Sequence, residues 1–155
     1  YKMSPPLRTK ADVEAMREGL KNGVIDIICT DHAPHHNDEK QREFDKAPFG
    51  ILGLQTLIPL TLNLVRDGVI NYNKMVELTS LNPAKLLKLN DRGVISEGYL
   101  ADITIIDPDF EYIYDENLNK SKSQNSPLLG KKLKGAAIKT IKSGRLVYDF
   151  PNVVA

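Results

Sequence analysis

The run Thr30-Asp31-His32-Ala33-Pro34-His35 brings a carboxylate and an imidazole close together in the chain, directly after the apolar stretch Val24-Ile25-Asp26-Ile27-Ile28-Cys29. The stretch reads as a buried strand ending at Asp31. Barrel enzymes keep their chemistry at the C-terminal end of such a strand. A carboxylate there can take and return a proton, or ligate a cation that balances its charge among apolar walls. It can equally cap the next turn, as can the hydroxyl of Thr30. His35, past Pro34, opens a loop that can reach over the strand end, or is an ordinary exposed loop histidine. Downstream, Gly50 of Ala47-Pro48-Phe49-Gly50 permits close backbone approach to a ligand, or a plain turn. One carboxylate and one histidine are too few to hold a catalytic metal centre, so the chain reads as the C-terminal part of an enzyme.

The elements that must position these residues follow from periodicity and punctuation. Thr9 and Asp12 form a capping box before a helix carrying Val13, Met16 and Leu20, with Gly23 as its stop. The strand to Asp31 comes next, then a polar surface loop from His36 to Lys46. Leu54, Leu57, Ile58, Leu64 and Val65 mark a second helix, which Pro59 bends or starts late and Asp67-Gly68 ends. A third helix spans about Asn73 to Ser80. Asn82-Pro83 predicts a cap and first-turn proline for a short helix through Leu89. After Gly93 the character changes. Asp102 to Asp107 reads as a strand closed by Pro108, and Ile138–Lys142 with Arg145–Tyr148 flank Ser143-Gly144 as a hairpin. Asn117 to Lys134, rich in Lys, Ser, Asn and Gly, reads as mobile.

The fold class expected is α/β: the C-terminal part of a TIM barrel over residues 1–90, then part of a small β-sandwich over residues 91–155. A complete barrel needs roughly 250 residues, more than the 155 present. A chain opening on Tyr1 rather than Met fits the same expectation.

Composition removes several function classes. The chain is 41% hydrophobic and 26% charged, as globular proteins are, and its net charge of +1 points to no nucleic-acid or membrane-surface partner. The basic cluster Lys131, Lys132 and Lys134, with Lys120 and Lys122 nearby, reads as a solvated loop. No apolar run is long enough to span a membrane and no signal peptide is visible. The single Cys29 has no disulfide partner in the chain and reads as a buried, inert thiol. These features fit a cytoplasmic protein.

The motifs resemble those of dihydroorotases in the metal-dependent amidohydrolase superfamily. The resemblance runs through Lys2-Met3-Ser4-Pro5-Pro6-Leu7-Arg8, Asp26 and Thr30 to His35, Glu39-Lys40, Ala47 to Gly50, Gly53-Leu54-Gln55-Thr56 and Pro59-Leu60. It continues through Asn82-Pro83-Ala84, Gly98, Ala101-Asp102 and Asn125-Ser126-Pro127. The pairing of Thr30–His35 with Ala47–Gly50 is its most specific part.

The resemblance implies a role for each matching position. Asp31 matches the aspartate that ligates zinc and serves as general base. His35 matches the histidine that binds the substrate carboxylate. Phe49 and Gly50 match a segment whose main chain contacts the pyrimidine ring. Ser4 stands where the family commonly has a substrate-binding asparagine, and a serine is shorter and lacks the amide. Arg8 pairs with substrate or forms a structural salt bridge. His32 and His36 are not assigned to the site.

The implied whole is a zinc enzyme with a binuclear centre, most of whose ligands lie in a missing N-terminal part. It would close N-carbamoyl-L-aspartate to dihydroorotate, reversibly, in pyrimidine biosynthesis. The alternatives are a hydantoinase, dihydropyrimidinase or allantoinase, and a non-catalytic dihydroorotase-like scaffold for aspartate transcarbamoylase. Expected partners are the small-molecule substrate, the missing N-terminal half, and a second copy or an aspartate transcarbamoylase complex. The isolated chain is expected to be inactive and to associate through exposed edges and apolar faces.

Overall fold

The computed structural model describes residues 2–150. Helix α1 (Lys10–Lys21) begins on the expected capping box: the Thr9 side chain accepts from Asp12 N–H, and the Asp12 carboxylate accepts from Thr9 N–H at 3.0 Å. These bonds hold the Asp12 carboxyl below its usual range, with the Thr9 hydroxyl the largest cause. Gly23 adopts φ +74° after the helix and turns the chain back.

The segment expected as a buried strand is extended but has no strand beside it among the described residues. Val24 is 78% exposed, and Cys29 is exposed rather than buried. The physical reason is that an apolar run becomes a buried strand only when neighbouring strands satisfy its backbone and cover its faces. Here it is tied only locally, as where Ile28 N–H donates to Leu78 O at 3.0 Å. Ile25 and Ile28 pack from one side against the core of Leu20, Leu62, Ile70, Met75 and Leu78.

Within the polar loop, α2 (Asn37–Lys40) is a single turn capped by His36, whose Nδ1 accepts from Asp38 N–H. A 3-10 turn at Leu54–Thr56 leads into α3 (Leu57–Arg66), so Pro59 falls in the first turn, where no intrahelical donor is required. Asp67 and Gly68 end α3 as the sequence indicates.

Helix α4 (Tyr72–Val76) is capped by Asn71, whose Oδ1 accepts from Lys74 N–H at 2.8 Å. It runs without a break through a π turn (Glu77–Leu81) into α5 (Asn82–Leu86). Asn82 is therefore not a cap. Its N–H donates to Glu77 O across the wider turn, and its side chain donates to Asp26 O at 2.8 Å. Proline at 83 lacks the N–H that a regular turn would use, and the widened turn absorbs the deficit.

Strands β1 (Ile103–Tyr114), β2 (Lys131–Lys142) and β3 (Arg145–Asp149) form one antiparallel sheet in the order β1-β2-β3. The hairpin at Ser143-Gly144 is present, both residues having positive φ. Pro108 does not close β1. It sits in an irregularity between Asp107 and Glu111, where a residue without an N–H costs no ladder bond.

Lys131, Lys132 and Lys134 lie on β2, not in a loop, and Lys132 and Lys134 pair across the strands with Glu111 and Asp109. A single three-stranded sheet is present among the described residues, and no second layer that would make the expected β-sandwich is seen among them. The stretch before β2 is not a slack loop either: Asn125 and Ser126 are buried.

Helix α3 joins the sheet to the helices. Leu62, 1% exposed, fills the space left by Gly135, and Ile106 packs against the helical core. Arg66 donates to Lys134 O at 3.0 Å and Pro108 O at 3.3 Å, satisfying carbonyls that the irregular ladder leaves open. Beside this joint, Leu54, Ile58, Tyr112, Ala136, Tyr148 and Phe150 line a cavity of about 270 Å³. Burial, then charge on Tyr148 and Tyr114, pushes the Tyr112 hydroxyl up to about 12.

Candidate active site

Asp31 ends the extended segment in the left-handed region, at φ +43°, and its side chain is exposed. The chain then turns so that Ala33 N–H donates to Ile51 O at 2.9 Å. This bond lays residues 30–35 against residues 49–53. Glycine makes the approach feasible at both ends of the contact. A Cβ on Gly53 would stand 2.7 Å from Thr30 O, and one on Gly50 would stand 2.5 Å from Ala33 Cβ.

His32 points away from catalysis and into structure. The amides of Gly53 and Leu54 donate to its Nδ1 at 3.1 and 3.3 Å. An amide N–H can only donate, so neutral His32 carries its proton on Nε2. It thereby caps the 3-10 turn that starts α3.

His35 is brought to Phe49 and Gly50, as the motif pairing suggests. Its Nε2 lies 2.8 Å from Phe49 O, and its Nδ1 lies 3.9 Å from Glu39 Oε2. A carbonyl only accepts, so Nε2 is the donor and bears hydrogen. Gly50 N–H donates to Lys2 O at 2.9 Å, and Lys40 Nζ donates to Pro48 O at 2.8 Å and Gly50 O at 3.0 Å. The Lys2 ammonium lies 4.6 Å from the centre of the Phe49 ring. Phe49 O, Gly50 N–H and Gly50 O are thus all engaged within the chain.

Ser4 is exposed two residues beyond Lys2, on the segment that Gly50 anchors. Arg8 pairs with Asp12 at 3.5 Å, the structural alternative of its two readings. His36 serves only the α2 turn.

Two residues act here that sequence reasoning did not assign. Lys40 holds the Pro48–Gly50 backbone, and Asn125 reaches both halves of the site from the connection between β1 and β2. Both lie within motifs that carry the family resemblance. No local pattern marks either: their partners are backbone groups, 8 and 10 residues on for Lys40 and 75 to 92 residues away for Asn125.

Among the described residues, no three His, Cys, Asp or Glu side chains converge as a metal-binding group. Asp31 offers one carboxylate, so the residues of this chain do not by themselves fit a metal ion. No helix of the described residues is long and apolar enough to cross a membrane.

Comparison with known proteins bears on the same residues. Residues 4–147 match the model of the amidohydrolase family. A curated dihydroorotase from Geobacter sp. (strain M21) is 52% identical over 148 residues, covering 96% of this chain and 35% of that protein. One from Endomicrobium trichonymphae is 50% identical over 149 residues, with the same coverage. The chain thus spans about a third of the length of these curated relatives.

Among solved structures, the dihydropyrimidinase from Brevibacillus agri NCHU1002 superposes with a TM-score of 0.87 at 30% identity, over 96% of this chain and 34% of that one. The L-hydantoinase from Arthrobacter aurescens gives 0.86 at 31%, over 99% and 35%. The Thr30–His35 turn, the glycine-dependent approach of Ala47–Gly50 and the matching family model together make this chain a member of the amidohydrolase family, within its TIM-barrel superfamily.

Proposed function

We propose that this chain is the C-terminal part of a dihydroorotase, which as a full-length protein interconverts N-carbamoyl-L-aspartate and dihydroorotate in pyrimidine biosynthesis in the cytoplasm. One observation carries the reading: about half of all positions over 96% of the chain are identical to proteins named dihydroorotase. The likeness to hydantoinases and dihydropyrimidinases is at 25–31% identity, and supports a second reading as a cyclic amidohydrolase of that kind.

Each residue has a role in the first reading. Asp31 takes the proton of the attacking water and returns it to the leaving ring nitrogen, which needs an exposed carboxylate at a fixed point. It would also supply one ligand to a zinc ion, the other ligands coming from the rest of the full-length protein. His35 binds the substrate carboxylate, a group that hydantoin lacks. Phe49 and Gly50 present main chain to the ring, and Ser4 adds a hydroxyl. Residues 1–90 belong to the barrel. Residues 91–155 contribute to a β-sandwich, its second layer covering the exposed Ile105, Ile113 and Val147.

The test is turnover of dihydroorotate, hydantoin and allantoin by the full-length protein with zinc supplied. Preference for dihydroorotate is expected. His35→Ala should raise its KM by about 10- to 100-fold, the worth of a hydrogen bond to a charged group. Hydantoin or allantoin turned over in preference would overturn the first reading in favour of the second.

A further inference from the structure

Asn125 is 6% exposed and lies on the β1–β2 connection, yet all its recorded side-chain bonds go to the candidate site. Its Oδ1 accepts from His35 N–H at 3.2 Å. Its Nδ2 donates to Ala33 O at 2.8 Å and Gly50 O at 3.3 Å. Its own carbonyl accepts from Leu52 N–H at 3.1 Å. One carboxamide therefore binds both walls of the cleft, the His35 side and the Gly50 side. A carboxamide suits this point because it offers two donors and an acceptor in one plane, with no charge to bury.

The two walls already touch where a Cβ on Gly50 would collide with Ala33, so they cannot move closer. The Nδ2 of Asn125 adds two bonds, one to each wall, to the Ala33–Ile51 and His35–Phe49 bonds that keep them from moving apart. Lys40 grips the Gly50 wall from the other side, so that wall is held from two directions.

We propose that Asn125 is a positioning residue: it sets the separation between His35 and the Phe49–Gly50 main chain, and through it the affinity for the substrate carboxylate. The affinity part rests on the function proposed above; the positioning part does not.

The experiment compares Asn125→Asp and Asn125→Ser with the parent in the full-length protein. Aspartate keeps the size and the acceptor but replaces both donors with oxygen facing Ala33 O and Gly50 O. Serine is too short to span the cleft and is the milder change for folding. Two measurements are made: steady-state kinetics (KM and kcat) for dihydroorotate, and amide hydrogen exchange at Ala33, His35 and residues 49–52.

For either folded variant the expected result is a KM raised by about 10-fold or more, with kcat changed far less, because displaced binding groups cost affinity first. In Asn125→Ser, which removes the acceptor that His35 N–H uses, exchange at His35 should speed up by a similar factor. Unchanged KM with activity falling only as the folded fraction falls would mean a merely structural asparagine and overturn the proposal. Unchanged exchange at His35 in Asn125→Ser would overturn it too. If the parent itself does not turn over dihydroorotate, the proposed function fails, and the exchange measurement alone decides whether Asn125 positions the cleft.

Discussion

Gly50 sets the narrowest tolerance in the candidate site. At φ +109° it occupies a backbone region that side chains rarely adopt, and a Cβ there would meet Ala33 Cβ at 2.5 Å. Gly50→Ala should therefore cost about 1–3 kcal/mol in backbone strain before the contact is counted. Thermal unfolding checks this, and an unchanged melting temperature contradicts it. At this scale the sequence was legible where chemistry and covalent neighbourhood coincide. Asp31, His35, Phe49 and Gly50 stand in one motif pair, and the structure brings His35 to that pair directly. Asn125 was illegible as a site residue because its bonds reach positions 75 to 92 residues away. Cys29 was misread because an apolar neighbourhood in sequence is not burial in space.

Punctuation by proline misleads at the scale of elements, while capping chemistry does not. The Thr9–Asp12 box and the Ser143-Gly144 turn form where their side chains and dihedrals dictate. Pro83 and Pro108, read as boundaries, are absorbed by a π turn and a strand irregularity, because continuing the element buries more than breaking it. The α3–sheet joint yields a stability prediction. Leu62→Ala removes a side chain packed against both the helical core and β2, and should cost about 2–5 kcal/mol. Denaturant unfolding followed by circular dichroism and by tyrosine fluorescence should report the loss with both probes. A loss seen by one probe alone would mean that the parts are not coupled.

The sheet also carries a pH dependence. The folded Tyr112 hydroxyl titrates at about 12, against about 10 in an unfolded chain. The folded state holds this proton more tightly. Its stabilising contribution is thus complete below pH 10 and disappears as pH rises towards 12. Unfolding midpoints should fall across that window, and Tyr112→Phe should flatten the fall. An equally steep fall in the variant would assign it to other groups.

At the scale of the whole molecule, sizeable apolar side chains stand exposed. The extended segment 24–31 has no strand beside it among the described residues, and Val24, Leu54 and Ile95 are exposed along with it. The isolated chain should therefore self-associate, and sedimentation at rising concentration measures this. A monodisperse monomer would contradict it. Periodicity reported the apolar content of that segment faithfully. It could not report whether partners for the segment were on the same chain.

The Asn125 clasp has a consequence in time as well as in space. It joins positions separated by 75, 90 and 92 residues, and Asn125 itself rides on the link between β1 and β2. Closing loops of that length is entropically costly until other contacts have shortened them. Packing of α3 against the sheet shortens those loops, so the clasp is expected to shut late in refolding, behind the scaffold that carries it.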